Sequence, residues 1–437
     1  MPRTDGSRKW LHLPIRIHYA WIILIAGAIA FGMSGEMSSF VFGPLLVPMS
    51  AEMGWTRSQV SLAYTLMFVG FSATSLIGGW LADTIGARRT LLLSSIALAS
   101  SIMLTGRASH LWELYLYFGM FVGGARGLFT TSIYTVVTLW FRKRLGLATG
   151  ILVSSTGLIP LVLTPLLGYV IDIMGWGNAL ILLGIIGGGT VVVCCSFIRN
   201  QPSDVGTLAY GATLEYGTTA KASGIQQGIF YKGDEPDFFK HARQTPPFRL
   251  LPIIHCLGCI SHAVILAHIV AIGIDTGLPP VTAASILGLI GGFSVASRFG
   301  IPILADIVGG KKAMTLGIFL QASVIPVLLV TKEPWMFYVF AVLFGIGYGG
   351  EMSAFPVINR QYYGSAPIGR VLGYQMMLAG IGMGIGGYLG GLCYDLMGNY
   401  TLAIWMASLV GFLTVAVTLI LPSPVKKVAT DALSANN

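Results

Sequence analysis

The sequence is poor in charged residues. Asp, Glu, Lys and Arg make up only 10% of its 437 residues, whereas about 25% is usual for soluble domains. So few charges cannot cover the surface of a water-soluble protein of this size, and a disordered chain would be richer in polar residues. Hydrophobic residues make up 54% of the chain. The composition therefore predicts an all-α protein that crosses a membrane several times.

Cysteine is also scarce, and motifs for metals or nucleotides are lacking. The five cysteines lie in apolar stretches, and Cys256 and Cys259 have no second pair that would complete a zinc site. The sequence contains no phosphate-binding loop, which argues against an ATP-driven pump. Nucleophile and base residues do not converge in any apolar stretch. We therefore predict no metal site, no cofactor, no nucleic-acid partner and no enzymatic activity.

Twelve apolar stretches are long enough to cross a bilayer as helices. A polar loop at 199–248 separates the first six from the last six, so we predict two six-helix bundles at 1–198 and 249–437 joined by this linker. The predicted spans are 19–48, 57–82, 89–107, 110–140, 145–173, 177–198, 249–273, 280–307, 312–331, 334–363, 369–396 and 400–421.

The basic residues are distributed unequally between the two sides of this layout. Of the 26 Lys and Arg residues, 21 fall on the side of the N-terminus, three on the opposite side and two inside spans. Loops rich in Lys and Arg stay in the cytoplasm. Both termini are therefore predicted to be cytoplasmic, and we expect a multi-pass protein of the cell inner membrane.

A motif recurs in both halves of the chain. Residues 81–89 and 304–312 both read Leu-Ala-Asp-x-x-Gly-x-basic-basic at an offset of 223, and the same offset relates glycines in three further regions. The halves are thus predicted to be parallel repeats with a substrate site between them. The repeated motif, in a chain of six plus six spans, resembles the major facilitator superfamily. Gating and structural roles are expected for Asp83, Arg88, Arg89, Asp306 and Lys311.

A narrower resemblance lies around the fifth span. Residues 139–150 resemble the signature of the monocarboxylate transporter family, with an aromatic-Phe pair, basic residues and Leu-Ala-x-Gly. The family has a substrate-pairing Arg in span 8, where this chain has Arg298, so the resemblance implies that Arg298 binds a substrate carboxylate. Ser294 stands where members of the family have an Asp linked to proton coupling, so the resemblance assigns no proton-coupling residue here.

Ionisable residues inside membrane spans are costly and are candidates for function. The guanidinium fork of Arg298 fits a carboxylate, and the alternative is a buried pair with Glu351. Arg126 is expected to form a buried or proton-linked pair with Glu36 rather than to bind substrate. Glu36 and Glu351 are both candidates to carry a co-transported proton.

Four polar residues are candidate substrate ligands beside Arg298. His262 is placed to donate to a substrate oxygen, although a packed structural histidine is the alternative. Tyr134, Tyr348 and Gln375 lie at the same depth and are candidate hydrogen-bond donors.

The predicted function is secondary transport of small monocarboxylates, such as lactate or pyruvate, by proton symport and alternating access. A monoanion is favoured because Arg298 is the one free cation predicted in the C-terminal half. The alternatives are an organic-anion exchanger of the oxalate or formate type and, from a different class, a membrane receptor or sensor. The predicted partners are a small organic anion, a proton and the lipid bilayer, with no obligate protein partner.

Overall fold

The computed structural model describes residues 18–212, 238–363 and 369–422, except the side chains of Leu76, Asp306 and Arg370. The described residues are helical apart from loops and one isolated bridge between Phe141 and Tyr210. Nine helical stretches are long and apolar enough to cross a membrane. Two of these contain two helices each, and a further helix carries Arg126, so the described residues accommodate the twelve predicted spans.

In the first half, the helix α1 (Tyr19–Met53) contains a π-helical turn at Glu36–Phe40. The helix α2 (Arg57–Leu81) is followed by a second such turn at Ala82–Gly86. Gly175, with φ of 79°, divides Leu145–Phe197 into α5 (145–174) and α6 (176–197). The helix α1 extends five residues beyond its predicted end. The bounds are Tyr19–Met53 for α1, Arg57–Leu81 for α2, Ala87–Thr105 for α3, and Leu111–Leu114, Tyr115–Val122 and Gly123–Trp140 for the successive parts of α4.

In the second half, a short helix at Phe238–Ala242 precedes six long ones. Their bounds are Pro246–Asp275 for α7, Pro280–Val308 for α8, Gly310–Leu329 for α9, Pro334–Tyr363 for α10, Gly369–Met397 for α11 and Thr401–Ile420 for α12.

The two halves repeat each other in backbone detail. Glycines with positive φ occur in three pairs that share the offset of 223, namely Gly54 with Gly277, Gly86 with Gly309, and Gly175 with Gly398. Such angles favour glycine because a side chain would clash there. The glycines of the repeated motif, Gly86 and Gly309, have φ of 92° and 91°.

The halves pack against each other along two main helix pairs, α2 with α11 and α5 with α8. Close approach depends on glycine: a Cβ at Gly157 of α5 would overlap the carbonyl oxygen of Gly291 on α8. Arg298 of α8 lies at this contact and donates a hydrogen bond to Val153 of α5.

Candidate functional site

The polar and charged side chains of the interior fall into two groups by their exposure. Arg126 and Tyr134 of α4, Arg298 of α8 and Tyr348 of α10 are all half-buried, so they border the space between the two halves. In contrast, the side chains of Glu36, Glu351, His262 and Gln375 are at most 1% exposed. We call the first group the cavity residues and the second group the wall residues.

Arg298 reaches from the C-terminal half to the N-terminal half. Its Nη1 atom donates hydrogen bonds to the carbonyl oxygen of Val153, at 2.5 Å, and to Oγ1 of Thr156, at 2.8 Å. Its Nε atom is buried and has no hydrogen-bond partner among the described residues. The alternative pair with Glu351 is not formed. Arg298 is therefore held by neutral oxygens and keeps unused donors.

Arg126 does not form the predicted pair with Glu36. Its Nη1 atom donates to Oγ of Ser34 at 2.8 Å, and its guanidinium carbon lies 5.0 Å from the centre of the Phe31 ring. Neighbouring Gly123 and Gly127 bring α4 against the backbone of α2, where a Cβ would overlap carbonyl oxygens. This packing turns the Arg126 side chain toward α1 and the cavity, so the expectation of a buried ion pair is corrected.

The two arginines lie beside a pair of neighbouring residues, Gly35 and Thr156. A Cβ placed at Gly35 of α1 would lie 3.5 Å from Nη1 of Arg126 and 3.6 Å from Cβ of Thr156, the residue that Arg298 contacts. Tyr134 and Tyr348 lie within electrostatic range of both guanidinium groups. The cavity residues thus form one cluster with two positive charges and two phenolic hydroxyl groups.

Glu36 belongs to the wall on the N-terminal side. It starts the π-helical turn of α1, and its Oε2 atom accepts a hydrogen bond from Thr164 of α5 at 2.9 Å. Turns of this kind inside α-helices are frequent at functional sites. Oε1 is buried without a hydrogen-bond partner in the described part of the chain.

Glu351 belongs to the wall on the C-terminal side and has two polar neighbours. Its Oε2 atom accepts a hydrogen bond from Nε2 of Gln321 at 3.1 Å and lies 3.4 Å from Nδ1 of His262. Gly258 of α7 leaves room for this carboxyl group, since a Cβ there would overlap Oε1. Glu351 and His262 are thus two adjacent titratable groups enclosed by protein.

His262 and Gln375 contact other side chains of the protein. The Nε2 atom of His262 lies 3.2 Å from Sδ of Met383, on the side of the ring away from Glu351. Gln375 is hydrogen-bonded to Asn359 and His255 at 2.9 and 3.1 Å. Both side chains are enclosed by protein neighbours in this structure, so a role for His262 and Gln375 as substrate ligands stays a prediction.

One end of the bundle is closed by a cluster that sequence reasoning missed, the Arg57 latch. Arg57 of α2 forms two hydrogen bonds with Asp275 of α7, at 2.6 and 2.7 Å, and one with Tyr400 at 2.9 Å. Its guanidinium carbon lies 3.6 Å from the centre of the Tyr394 ring. The backbone N–H groups of Arg57 and Ser58 donate to the carboxylate of Asp395 on α11. Every partner belongs to the opposite half.

Toward the other end, where the linker lies, the contacts between the halves are fewer at some glycines. A Cβ placed at Gly79 of α2, Gly146 of α5, Gly300 of α8 or Gly373 of α11 would meet no described atom within 4 Å. At the Arg57 end, a Cβ at Gly168 of α5 would lie 2.8 Å from Ala284 of α8. Contact between α5 and α8 extends from there at least to Gly150, where a Cβ would lie 3.1 Å from Phe299.

The repeated motif makes equivalent contacts in the two halves. Arg88 donates to the carbonyl oxygen of Ser196, and Lys311 donates to that of Leu419, at 3.3 and 2.9 Å. Both donors and both acceptors are related by the offset of 223. Each contact fastens the last helix of its own bundle, which supports a structural role; Asp83 and Arg89 are exposed, and the Asp306 side chain lies outside the described residues.

The chain is similar to membrane transporters over nearly its whole length. It is 21% identical to an uncharacterized MFS-type transporter, YcxA of Bacillus subtilis, over 92% of both chains. It is 23% identical to monocarboxylate transporter 13 of Rattus norvegicus, over 89% of this chain and 86% of that protein. A shorter match, 28% identical over 35% of each chain, is to the probable sulfoacetate transporter SauU of Cupriavidus necator.

Solved structures and a family model agree on the fold. The chain superposes on the inward-facing, unoccupied crystal structure of a bacterial homologue of the human lysosomal transporter Spinster, with a TM-score of 0.67 and 14% identity over 92% and 95% of the two chains. The family model described as Major Facilitator Superfamily matches residues 24–324 and 301–435. The predicted fold is confirmed: the chain belongs to the major facilitator superfamily, and it is a membrane transporter rather than an enzyme.

Proposed function

We propose that the chain is a secondary active carrier of small organic carboxylates, with lactate and pyruvate as the simplest substrates. The observation that carries this proposal is Arg298, a half-buried guanidinium group whose described hydrogen-bond partners are neutral oxygens. A charge at this depth is costly unless it has a counter-ion, and a planar guanidinium matches a carboxylate. The similarity to a monocarboxylate transporter and to a probable sulfoacetate transporter supports a small organic acid as substrate.

We propose further that a proton accompanies the anion and that Glu351 carries it. Glu351 is fully buried and lies 3.4 Å from a second titratable group, His262. Glu36 is the second candidate, because it is equally buried but has only a hydroxyl donor, Thr164, among its described hydrogen bonds.

The difference between the two ends supports alternating access by rocking of the two bundles. The Arg57 latch joins the halves at one end, while a Cβ at Gly79, Gly146, Gly300 or Gly373 toward the linker end would meet no described atom within 4 Å. With the orientation predicted from the basic loops, the latch faces outward and the linker end faces the cytoplasm of a cell whose inner membrane holds the protein.

Uptake of labelled L-lactate into proteoliposomes, with and without an inside-alkaline pH gradient, tests this function. We expect accumulation that depends on the gradient. Uptake that does not depend on the pH gradient but is stimulated by internal carboxylate would favour the alternative, an organic-anion exchanger. Failure to transport lactate, pyruvate or any other small carboxylate under either condition would overturn the proposed function.

A further inference from the structure

We propose that Arg126 is a second anion-binding residue, and that the site is built for a small organic dianion with one acid group on Arg126 and the other on Arg298. This inference rests on the proposed function and narrows its substrate class. It concerns a residue that the sequence analysis assigned to a pair with Glu36.

The two cavity arginines are separated from the interior carboxyl groups. Among the described residues, the ion pairs involve Arg57, His110 and His262, and neither cavity arginine contacts a carboxylate. The two interior glutamates are fully buried and engaged with Thr164, Gln321 and His262. Two positive charges therefore face the cavity without a counter-charge from the described protein, and charges in such an environment require one.

The two arginines also belong to opposite halves of the molecule and lie near each other. Arg126 projects from the N-terminal half and Arg298 from the C-terminal half, and they lie beside two neighbouring residues, Gly35 and Thr156. A Cβ at Gly35 would be in van der Waals contact with Nη1 of Arg126 at 3.5 Å and with Cβ of Thr156 at 3.6 Å, and Thr156 accepts a hydrogen bond from Arg298. A short molecule with an acid group at each end would contact both halves at once.

The charge of the ligand has to balance the charge of the two guanidinium groups. A monocarboxylate on Arg298 neutralises one guanidinium group and leaves the other without a counter-ion. A dianion neutralises both through charge-assisted hydrogen bonds, which are the strong ones. The prediction of a monoanion from sequence counted the free cations of the C-terminal half alone, where Arg298 is the one predicted, whereas Arg126 belongs to the N-terminal half.

Matched pairs of anions test the proposal on the purified full-length protein. We expect malonate to bind at least about tenfold more tightly than propionate, and succinate at least about tenfold more tightly than butyrate, as measured by calorimetry. In Arg126→Gln this preference should disappear while monoanion affinity stays within about threefold, and Arg126→Lys should restore it in part. Arg298→Gln should weaken all four anions, and exposed Arg107→Gln should change none.

The wild-type comparison does not depend on whether a variant folds. Equal affinities within each pair would overturn the inference and leave the proposed function standing. Loss of monoanions and dianions by the same factor in a well-folded Arg126→Gln protein would also overturn it, because Arg126 would then be a general structural support. Absence of binding for all four anions, together with no carboxylate transport, would overturn both.

Discussion

The cavity residues and the wall residues differ in sign as well as in exposure. The half-buried charges are the cations Arg126 and Arg298, whereas the fully buried ones are the carboxyl groups of Glu36 and Glu351. An arginine remains charged at any relevant pH and must meet an anion. A buried carboxyl group can instead become neutral by binding a proton. The comparison supports the proposal of anion binding at the cavity residues and proton binding at the wall residues.

Removing the cavity charge on Arg298 should have the largest effect. We expect Arg298→Gln to lower carboxylate uptake by at least about thirtyfold, because loss of one partner of a desolvated ion pair costs about 2–5 kcal/mol. Uptake is measured in proteoliposomes, with monomer yield and thermal unfolding as checks of folding. Wild-type uptake by a well-folded Arg298→Gln protein would refute the assignment.

Changing the wall residue Glu351 should separate proton coupling from anion binding. In Glu351→Gln, we expect the pH gradient to drive no accumulation, while exchange of labelled for unlabelled anion continues, since the cavity arginines are intact. Glu36→Gln is the matched variant and should still accumulate substrate. If the two variants behaved in the opposite way, the proton would belong to Glu36.

Smaller changes should sharpen the boundary between cavity and wall. Tyr348→Phe removes one cavity hydroxyl and should raise KM about two- to tenfold, the effect of a single hydrogen bond. Gln375→Ala removes a wall side chain at similar depth and should leave KM unchanged. Concentration dependence of uptake measures both, and equal rises in KM would erase the distinction.

The smallest predicted effect concerns packing around the carboxyl group of Glu351. Gly258→Ala places a Cβ against Glu351 and should destabilise the fold by about 1–3 kcal/mol, as overpacking does. Gly79→Ala, where a Cβ meets no described atom within 4 Å, should be neutral or slightly stabilising. Thermal unfolding of both proteins in the same detergent measures the difference, and an equal shift would contradict the tight contact at Gly258.

The helices and the repeat could be predicted because both are local patterns. Apolar length identified each span, and the offset of 223 related Gly86 to Gly309, which share a positive φ. The depth of each charged residue followed from its position within a span. Arg298 and Tyr348 were therefore predicted to lie in the interior of the bundle, and both are half-buried.

The sequence could not reveal which way each side chain points. Depth alone suggested that Arg126 meets Glu36 and that His262 and Gln375 reach substrate, but helix rotation directs Arg126 to Ser34 and buries the other two. The Arg57 latch was missed for another reason. Its partners Asp275 and Asp395 lie 218 and 338 positions away in the sequence, and only packing of the two halves brings them together.

The most direct test of the central claim is a structure of the wild-type protein determined with lactate and, separately, with succinate. The account predicts density for the anion between the two halves, with a carboxylate on Arg298, the second acid group of succinate on Arg126, and contacts to Tyr134 or Tyr348. Density for the anion beside the wall residues His262 or Gln375, with both arginines left free, would contradict it.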